Sequence, residues 1–271
     1  MEPPIVDASQ RLWDMPATTE SNLKDAAFDQ GYRIGPELAA GWLFFRSASA
    51  PGEIAFSAQT PQGPFFLSVS HAGTARELVT RGVQLVAPPA KGHVAAFAFP
   101  DLEALHAGVS QAYRLSLSLP TLPLELFQAE LERHGVDDTL GTTDGRAEIR
   151  IRIGQPIFRR ALMDYWNGAC PLTGIADPEL LRASHIVPWA DCTSDAQRLD
   201  VHNGLLLSSL WDAAFDTGLI SFSDEGRAIA SPRLSDVAAE KLGISAVMPL
   251  MLTPEHRANL AWHRARVWVQ D

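Results

Sequence analysis

Four short segments between Cys170 and Phe222 constrain this chain most: CPLTGI, LLRASHIVPW, HNGLLL and SSLWDAAFDTG. The first reads as a strand edge and turn. The second is an apolar strand that carries His185 and stops at Pro188, since proline has no N–H for a ladder. The third places Asn203 at a turn before the run Leu205–Leu207. The fourth is a short helix, with Ser208 or Ser209 as its cap and Gly218 as its left-handed close. Asp212 and Asp216 are four residues apart, so they share one helix face. The order is strand, loop, helix, with an imidazole on the strand and two carboxylates on the helix.

Those residue types suit hydrolysis of a phosphodiester. An imidazole titrates near neutrality and can take a proton from water. Carboxylates on a rigid helix can hold a hard divalent cation, which offsets negative charge on a phosphate. Each residue also has a plainer use. His185 could be a satisfied core residue, and Asn203 with Gly204 a simple turn pair. Asp212 could be favourable charge in a helix's first turns, and Asp216 could bond the following turn. His202 and His263 read as structural, Trp189 and Trp211 as core packing, and Cys192 as a small buried residue.

Upstream, WLFFRS, EIAFSA, GPFFLSVS and HVAAFAF read as strands, and residues 73–85 as a helix. DLEALHAGVSQAY reads as a helix with Asp101 at its N-cap, and another helix follows Pro123. Residues 1–20 carry Pro3, Pro4 and Pro16 and read as irregular. The stretch HGVDDTLGTTDG gives the best linker. In AEIRIRIG, Ile149, Ile151 and Ile153 alternate with Glu148, Arg150 and Arg152, which predicts a half-buried strand, and Pro156 then opens a helix. The fold class expected is α+β: an N-terminal mixed α/β domain at 1–138, a linker at 139–146 and a second domain at 147–271.

The 271 residues carry a formal net charge of −10, which excludes a generic nucleic-acid coat. The charge is uneven: residues 1–145 hold 9 Lys+Arg against 17 Asp+Glu, and residues 146–271 hold 13 against 15. Arg146, Arg150, Arg152, Arg159 and Arg160 cluster just before the four segments. Their planar donors suit phosphate, although a solvated face is the plainer reading. Two cysteines are too few for a disulfide framework or a four-Cys zinc site. The N-terminus has no basic, apolar leader, and no long apolar run exists, so a cytoplasmic protein without a membrane span is expected.

The series RIGQPIFRRALMDYWNGACPLTG, RASHIVPW and DVHNGLLLSSLWDAAFDTGLISFSDEGR resembles the HNH endonuclease family, in its restriction-endonuclease-like branch. The tail LTPEHRANLAWHRARVW is similar to that branch as well, so the resemblance spans about residues 147–268. It implies a C-terminal domain with a ββα-metal core and hydrolysis of DNA to 5′-phosphate and 3′-hydroxyl ends. It makes His185 the general base and Asn203 the group that orients the loop and the histidine or, as in some members, binds metal. The family's third motif position is usually a histidine; here Leu210 and Trp211 occupy that neighbourhood. Asp212 becomes the candidate metal ligand and Asp216 a second carboxylate. The acid that often precedes the first histidine is replaced by Ser184. Arg159 and Arg182 are candidate substrate contacts, with module stabilisation the alternative for Arg159. The cofactor implied is Mg²⁺ or Mn²⁺, with no structural zinc. The partner implied is DNA, and a homodimer is an open option. A role in restriction follows by analogy, with a weakened binding module or a toxin-type nuclease as the alternatives.

Overall fold

A computed structural model describes residues 16–86, 88–136 and 144–268, without the side chains of Asp144 and Arg146. The chain divides into two compact units, Met1–Leu117 and Ser118–Asp271. The units are taken in turn.

The first unit holds helices α1 (Ala17–Asp29), α2 (Ala72–Thr80) and α3 (Leu102–Ser118) and a six-stranded sheet. Its strands are β1 (Ile34–Ala39), β2 (Trp42–Arg46), β3 (Glu53–Ala58), β4 (Phe65–Val69), β5 (Leu85–Val86) and β6 (Ala95–Phe99). They lie in the order β1-β2-β3-β4-β6-β5, every pair antiparallel. The four apolar runs read as strands are β2, β3, β4 and β6. Alternate residues point to opposite faces of a strand, and both faces of this sheet bury apolar groups. Ile54, Phe56, Leu67 and Phe97 lie on one face, and Trp42, Ala55, Phe66 and Ala96 pack together on the other. Asp101 caps α3 as its position suggested, its Oδ1 accepting from Ala104 N at 2.9 Å. Residues 17–20, read as irregular, begin α1 instead. The remaining residues of that stretch, apart from Pro16, lie outside the described ones.

The second unit begins with α4 (Thr121–Arg133) and α5 (Asp144–Tyr165), which pack on each other. It continues with β7 (Leu181–His185), α6 (Asp195–Leu199), β8 (Gly204–Ser208), α7 (Ser209–Asp216), β9 (Ile220–Phe222), β10 (Ala228–Ala230), α8 (Asp236–Leu242) and α9 (Pro254–Arg266). β7 pairs with β8 and β9 with β10, both antiparallel. Helix α4 therefore goes with the C-terminal unit, although the chain reading placed it before the linker. Of that linker, residues 139–143 lie outside the described ones, and 144–146 already belong to α5.

Residues 147–153 correct the sequence reading: they are helix, not strand, and Pro156 lies inside α5 rather than at its start. The isoleucine alternation is real but misleading, because Ile149 and Ile151 are 40% and 41% exposed. The residues that turn inward are Arg150, Ile153, Gly154, Ile157, Phe158, Ala161, Leu162 and Tyr165. That is an i, i+3, i+4 stripe, the signature of one helix face. It runs unbroken through Pro156, which sits on the exposed side. CPLTGI likewise forms a closed turn and no strand, with Gly174 N donating to Cys170 O and Cys170 N to Ile175 O.

Candidate active site

Strands β7 and β8 form a two-stranded ladder, and α7 follows β8 at once and touches both strands. The register sets Leu181 opposite Ser208 and His185 opposite Gly204. Gly204 is where α5 closes on the ladder. A Cβ there would stand 2.5 Å from Phe158 Cζ and 2.9 Å from Leu162 Cδ1, so only glycine admits this approach. Gly218 ends α7 with φ +71, the left-handed close expected of it. Ser208 occupies the N-cap without a side-chain bond, and Ser209 instead ties the helix start to the turn just before β7, its Oγ donating to Leu180 O at 2.9 Å.

Asn203 is fully buried and satisfies its whole amide inside the protein. Its Oδ1 accepts from Val187 N at 2.8 Å. Its Nδ2 donates to Val187 O at 3.1 Å, Gln197 O at 3.2 Å and Cys192 Sγ at 3.3 Å. One side chain thus fastens both arms of the connection between β7 and β8. Asn203 acts on backbone groups, which sets the path of the chain that follows His185.

His185 ends β7 and is half-buried. Its ring stacks on Phe158, centroids 3.8 Å apart and planes 15° apart, and meets the edge of Trp189 at 5.8 Å. Nε2 lies 2.9 Å from Arg198 O. A carbonyl can only accept, so Nε2 carries the hydrogen, and in the neutral ring Nδ1 carries the lone pair. Burial pushes the imidazole below its ordinary value, and the Arg198 guanidinium adds to this. The bond to Arg198 O and the Asp216 carboxylate work the other way. A base that is already unprotonated at neutral pH is what proton abstraction from water requires.

Asp212 is half-buried on α7, and its Oδ1 accepts from Ser184 Oγ on β7. Burial pushes its carboxyl above the ordinary carboxylate value. Asp216 raises it further, while the Ser184 hydroxyl and the Arg182 guanidinium lower it. Asp216 is exposed one turn on, and its charge reaches both Asp212 and His185. The two acids and the imidazole therefore share one electrostatic neighbourhood. Among the described residues, no group of three or more His, Cys, Asp or Glu side chains could hold a metal ion. The donor set on α7 is two carboxylates, one of them carrying a charge that burial and its neighbour disfavour. That suits a magnesium-like ion, which takes one or two carboxylates and fills its shell with water and substrate phosphate.

The two arginines named from the sequence sit differently. Arg159 donates from Nη1 to Leu181 O at 2.9 Å and from Nη2 to Pro178 O at 2.6 Å, so its fork holds the entry to β7. Arg182 is exposed, bonds Glu179 O and Leu181 O at 2.9 Å each, and adds positive charge beside Asp212. His202 holds Asp200, with Nδ1 and Oδ1 2.8 Å apart. His263 is buried between Ser221 Oγ at 3.0 Å and Phe215 O at 3.2 Å, which fits the structural reading of both. Cys170 and Cys192 are buried free thiols.

Sequence reasoning missed Arg198. Its guanidinium donates to Trp189 O at 3.1 Å, Cys192 O at 2.8 Å and Asp195 Oδ1 at 3.0 Å, while its carbonyl receives His185. Arg150 of α5 pairs with the other oxygen of Asp195. Only the charge signs in DAQRL hinted at this.

Residues 170–223 match the HNH endonuclease family. The matched segment runs from the turn at Cys170 to the end of β9 and contains His185, Asn203, Asp212 and Asp216. The HNH family is one of nucleases, so nuclease activity is the coarse expectation for the C-terminal half. Helices α5 and α9, which pack on the HNH segment, lie outside the match. No curated protein matches the chain.

Proposed function

We propose that the chain is a metal-dependent endonuclease that hydrolyses DNA phosphodiester bonds with His185 as general base. The observation that carries this reading is the state of His185. It is a neutral imidazole with Nε2 committed to Arg198 O, on the strand of a strand–strand–helix unit whose helix presents Asp212 and Asp216. In this mechanism Nδ1 of His185 takes a proton from water. The water oxygen forms a bond to phosphorus and the bond to the 3′-oxygen breaks, leaving a 5′-phosphate and a 3′-oxyanion, which takes a proton from solvent water to give the 3′-hydroxyl end. Asp212 and Asp216 would hold Mg²⁺ or Mn²⁺, and the ion would supply charge neutralisation at the phosphate and the leaving oxygen. Asn203 keeps the connection around His185 in place. Arg182 is the arginine we assign to the substrate. Arg159 serves the module through the carbonyls it holds. By analogy with the restriction-like branch, the substrate is foreign DNA and the N-terminal unit selects it.

The test is nicking of supercoiled plasmid in Mg²⁺, Mn²⁺ or EDTA. Wild type cuts with either ion and not with EDTA, while His185→Ala and Asp212→Asn lose at least about 100-fold in rate, the scale of a lost general base. Metal-dependent cutting that survives His185→Ala removes the assignment of the base. One observation favours a second reading, a module that binds DNA without cutting it: Asp212 Oδ1 is already engaged by Ser184. In that case wild type binds plasmid but leaves it supercoiled with every ion.

A further inference from the structure

We propose that Arg150, on α5 and outside the matched segment, is a positioning residue for His185, acting through Asp195 and Arg198. This rests on the reading of His185 as the base.

The connection between β7 and β8 supplies the acceptor for His185 Nε2, the carbonyl of Arg198. An acceptor on a connecting segment is only as well placed as the segment itself. Asn203 fixes Val187 and Gln197, and the Arg198 side chain fixes Trp189, Cys192 and Asp195. All of these contacts are internal to the connection. Polar ties run from it to the helices: Asn259 of α9 donates to His202 O at 2.9 Å, and Arg150 of α5 pairs with Asp195 Oδ2, while Asp195 Oδ1 holds Arg198; of these ties the second reaches the segment that carries the Arg198 carbonyl.

Apolar surface surrounds this charge chain. The Arg150 guanidinium lies over the Phe127 ring at 5.5 Å, and the Arg198 guanidinium over Trp189 at 5.6 Å. Phe127 and Trp189 meet edge to face at 6.5 Å, and Trp189 meets His185. Asp195 and Arg150 are each mostly buried, so the pair is weakly screened. Arg–carboxylate geometry is directional because the guanidinium is planar. Phe158 holds the imidazole from below by stacking, and it also belongs to α5. One helix thus sets both the plane of the ring and, through Arg150, the acceptor that orients it.

The test compares wild type with Arg150→Met, Arg150→Lys, Asp195→Asn and the Arg150→Met/Asp195→Asn double variant. Plasmid nicking is measured at saturating and limiting DNA. Arg150→Met slows cleavage at saturation by about 10- to 100-fold, the scale of a small misplacement at a reacting group. KM stays within about twofold. Arg150→Lys keeps the charge but not the planar fork or the stacking on Phe127, so it recovers only part of the rate. In the Asp195→Asn background Arg150→Met has little further effect, because both act through one link. A second readout does not need cleavage: the Nε2–H proton of His185, followed by nitrogen-15 NMR, exchanges with water faster in Arg150→Met. A raised KM with an unchanged saturated rate overturns the proposal and makes Arg150 a phosphate contact. So does an unchanged rate with an unchanged His185 proton, or a rate loss that only follows the folded fraction. If His185→Ala still cuts while the His185 proton responds to Arg150→Met, the base assignment fails and the positioning link stands.

Discussion

Truncation of Asn203 to alanine separates a fold-building role from a chemical one. Asn203 is fully buried and serves Val187 N, Val187 O and Gln197 O through one amide. Asn203→Ala leaves Val187 N–H without this acceptor. Leaving a buried polar group unpaired costs about 1–3 kcal/mol. Val187 O keeps the Cys192 thiol at 3.4 Å, a weak donor, and Gln197 O loses its bond from Nδ2. With the small void left by the amide, the sum is about 3–5 kcal/mol. That is a large share of the roughly 5–15 kcal/mol that holds a domain together. Urea unfolding followed by tryptophan fluorescence measures it, because five of the seven tryptophans lie in the second unit. Asn203→Asp keeps an acceptor for Val187 N but turns the donor into an oxygen facing two carbonyls. Its new carboxyl is therefore raised above its unfolded value of about 3.9. The sign follows: the penalty is full at neutral pH and shrinks as pH falls toward the unfolded value. Asn203→Ala shows no such recovery. If both variants unfold within about 1 kcal/mol of wild type at pH 7 while cleavage is lost, the buried amide is not the staple the hydrogen bonds describe, and its role is chemical.

Other consequences are equally open to measurement. Because His185 is held below its usual value, the acid limb of the cleavage-rate profile lies below pH 6.5. A limb above 6.5 that disappears in His185→Ala contradicts the burial argument. His263 is pushed down to about 4, chiefly by burial. Its stabilisation is complete above its unfolded value of 6.5 and is lost as pH falls from there toward 4. The loss is about 3 kcal/mol by linkage, read as a pH slope in urea midpoints that His263→Phe flattens. Gly204→Ala forces Phe158 and Leu162 apart, costs about 1–3 kcal/mol as overpacking and disturbs the ring under His185; a thermal melt that does not move refutes the close approach. Arg159→Met lowers stability by about 1–2 kcal/mol and leaves the salt dependence of DNA binding unchanged, whereas a phosphate contact would reduce that slope.

Much of the first unit was legible in the chain, because β2, β3, β4 and β6 are apolar runs bounded by turn residues. α7 was legible too, from a serine at its start, an apolar face and Gly218 at its end. Periodicity failed at residues 147–153, where a short alternation fitted a strand while the longer 3.6-residue stripe through Tyr165 decided for helix. β1 and β5 were missed because their residues are exposed or half-buried and carry no burial pattern.

For the candidate site, the residues were visible but their partners were not. His185, Asn203, Asp212 and Asp216 stand in the segment that matches the HNH family. Their residue types and order along strand, turn and helix, together with the resemblance to that family, marked them as candidates. What Asn203, Arg159 and His185 bind are backbone groups of Val187, Gln197, Leu181, Pro178 and Arg198. Every residue carries such groups, so they leave no mark in a sequence, and only the path of the folded chain decides which carbonyl faces which donor. The lone-pair nitrogen of His185 and the tie from Arg150 through Asp195 belong to that second kind. Local periodicity wrote the elements, and tertiary packing chose the hydrogen-bond partners that give the imidazole its orientation.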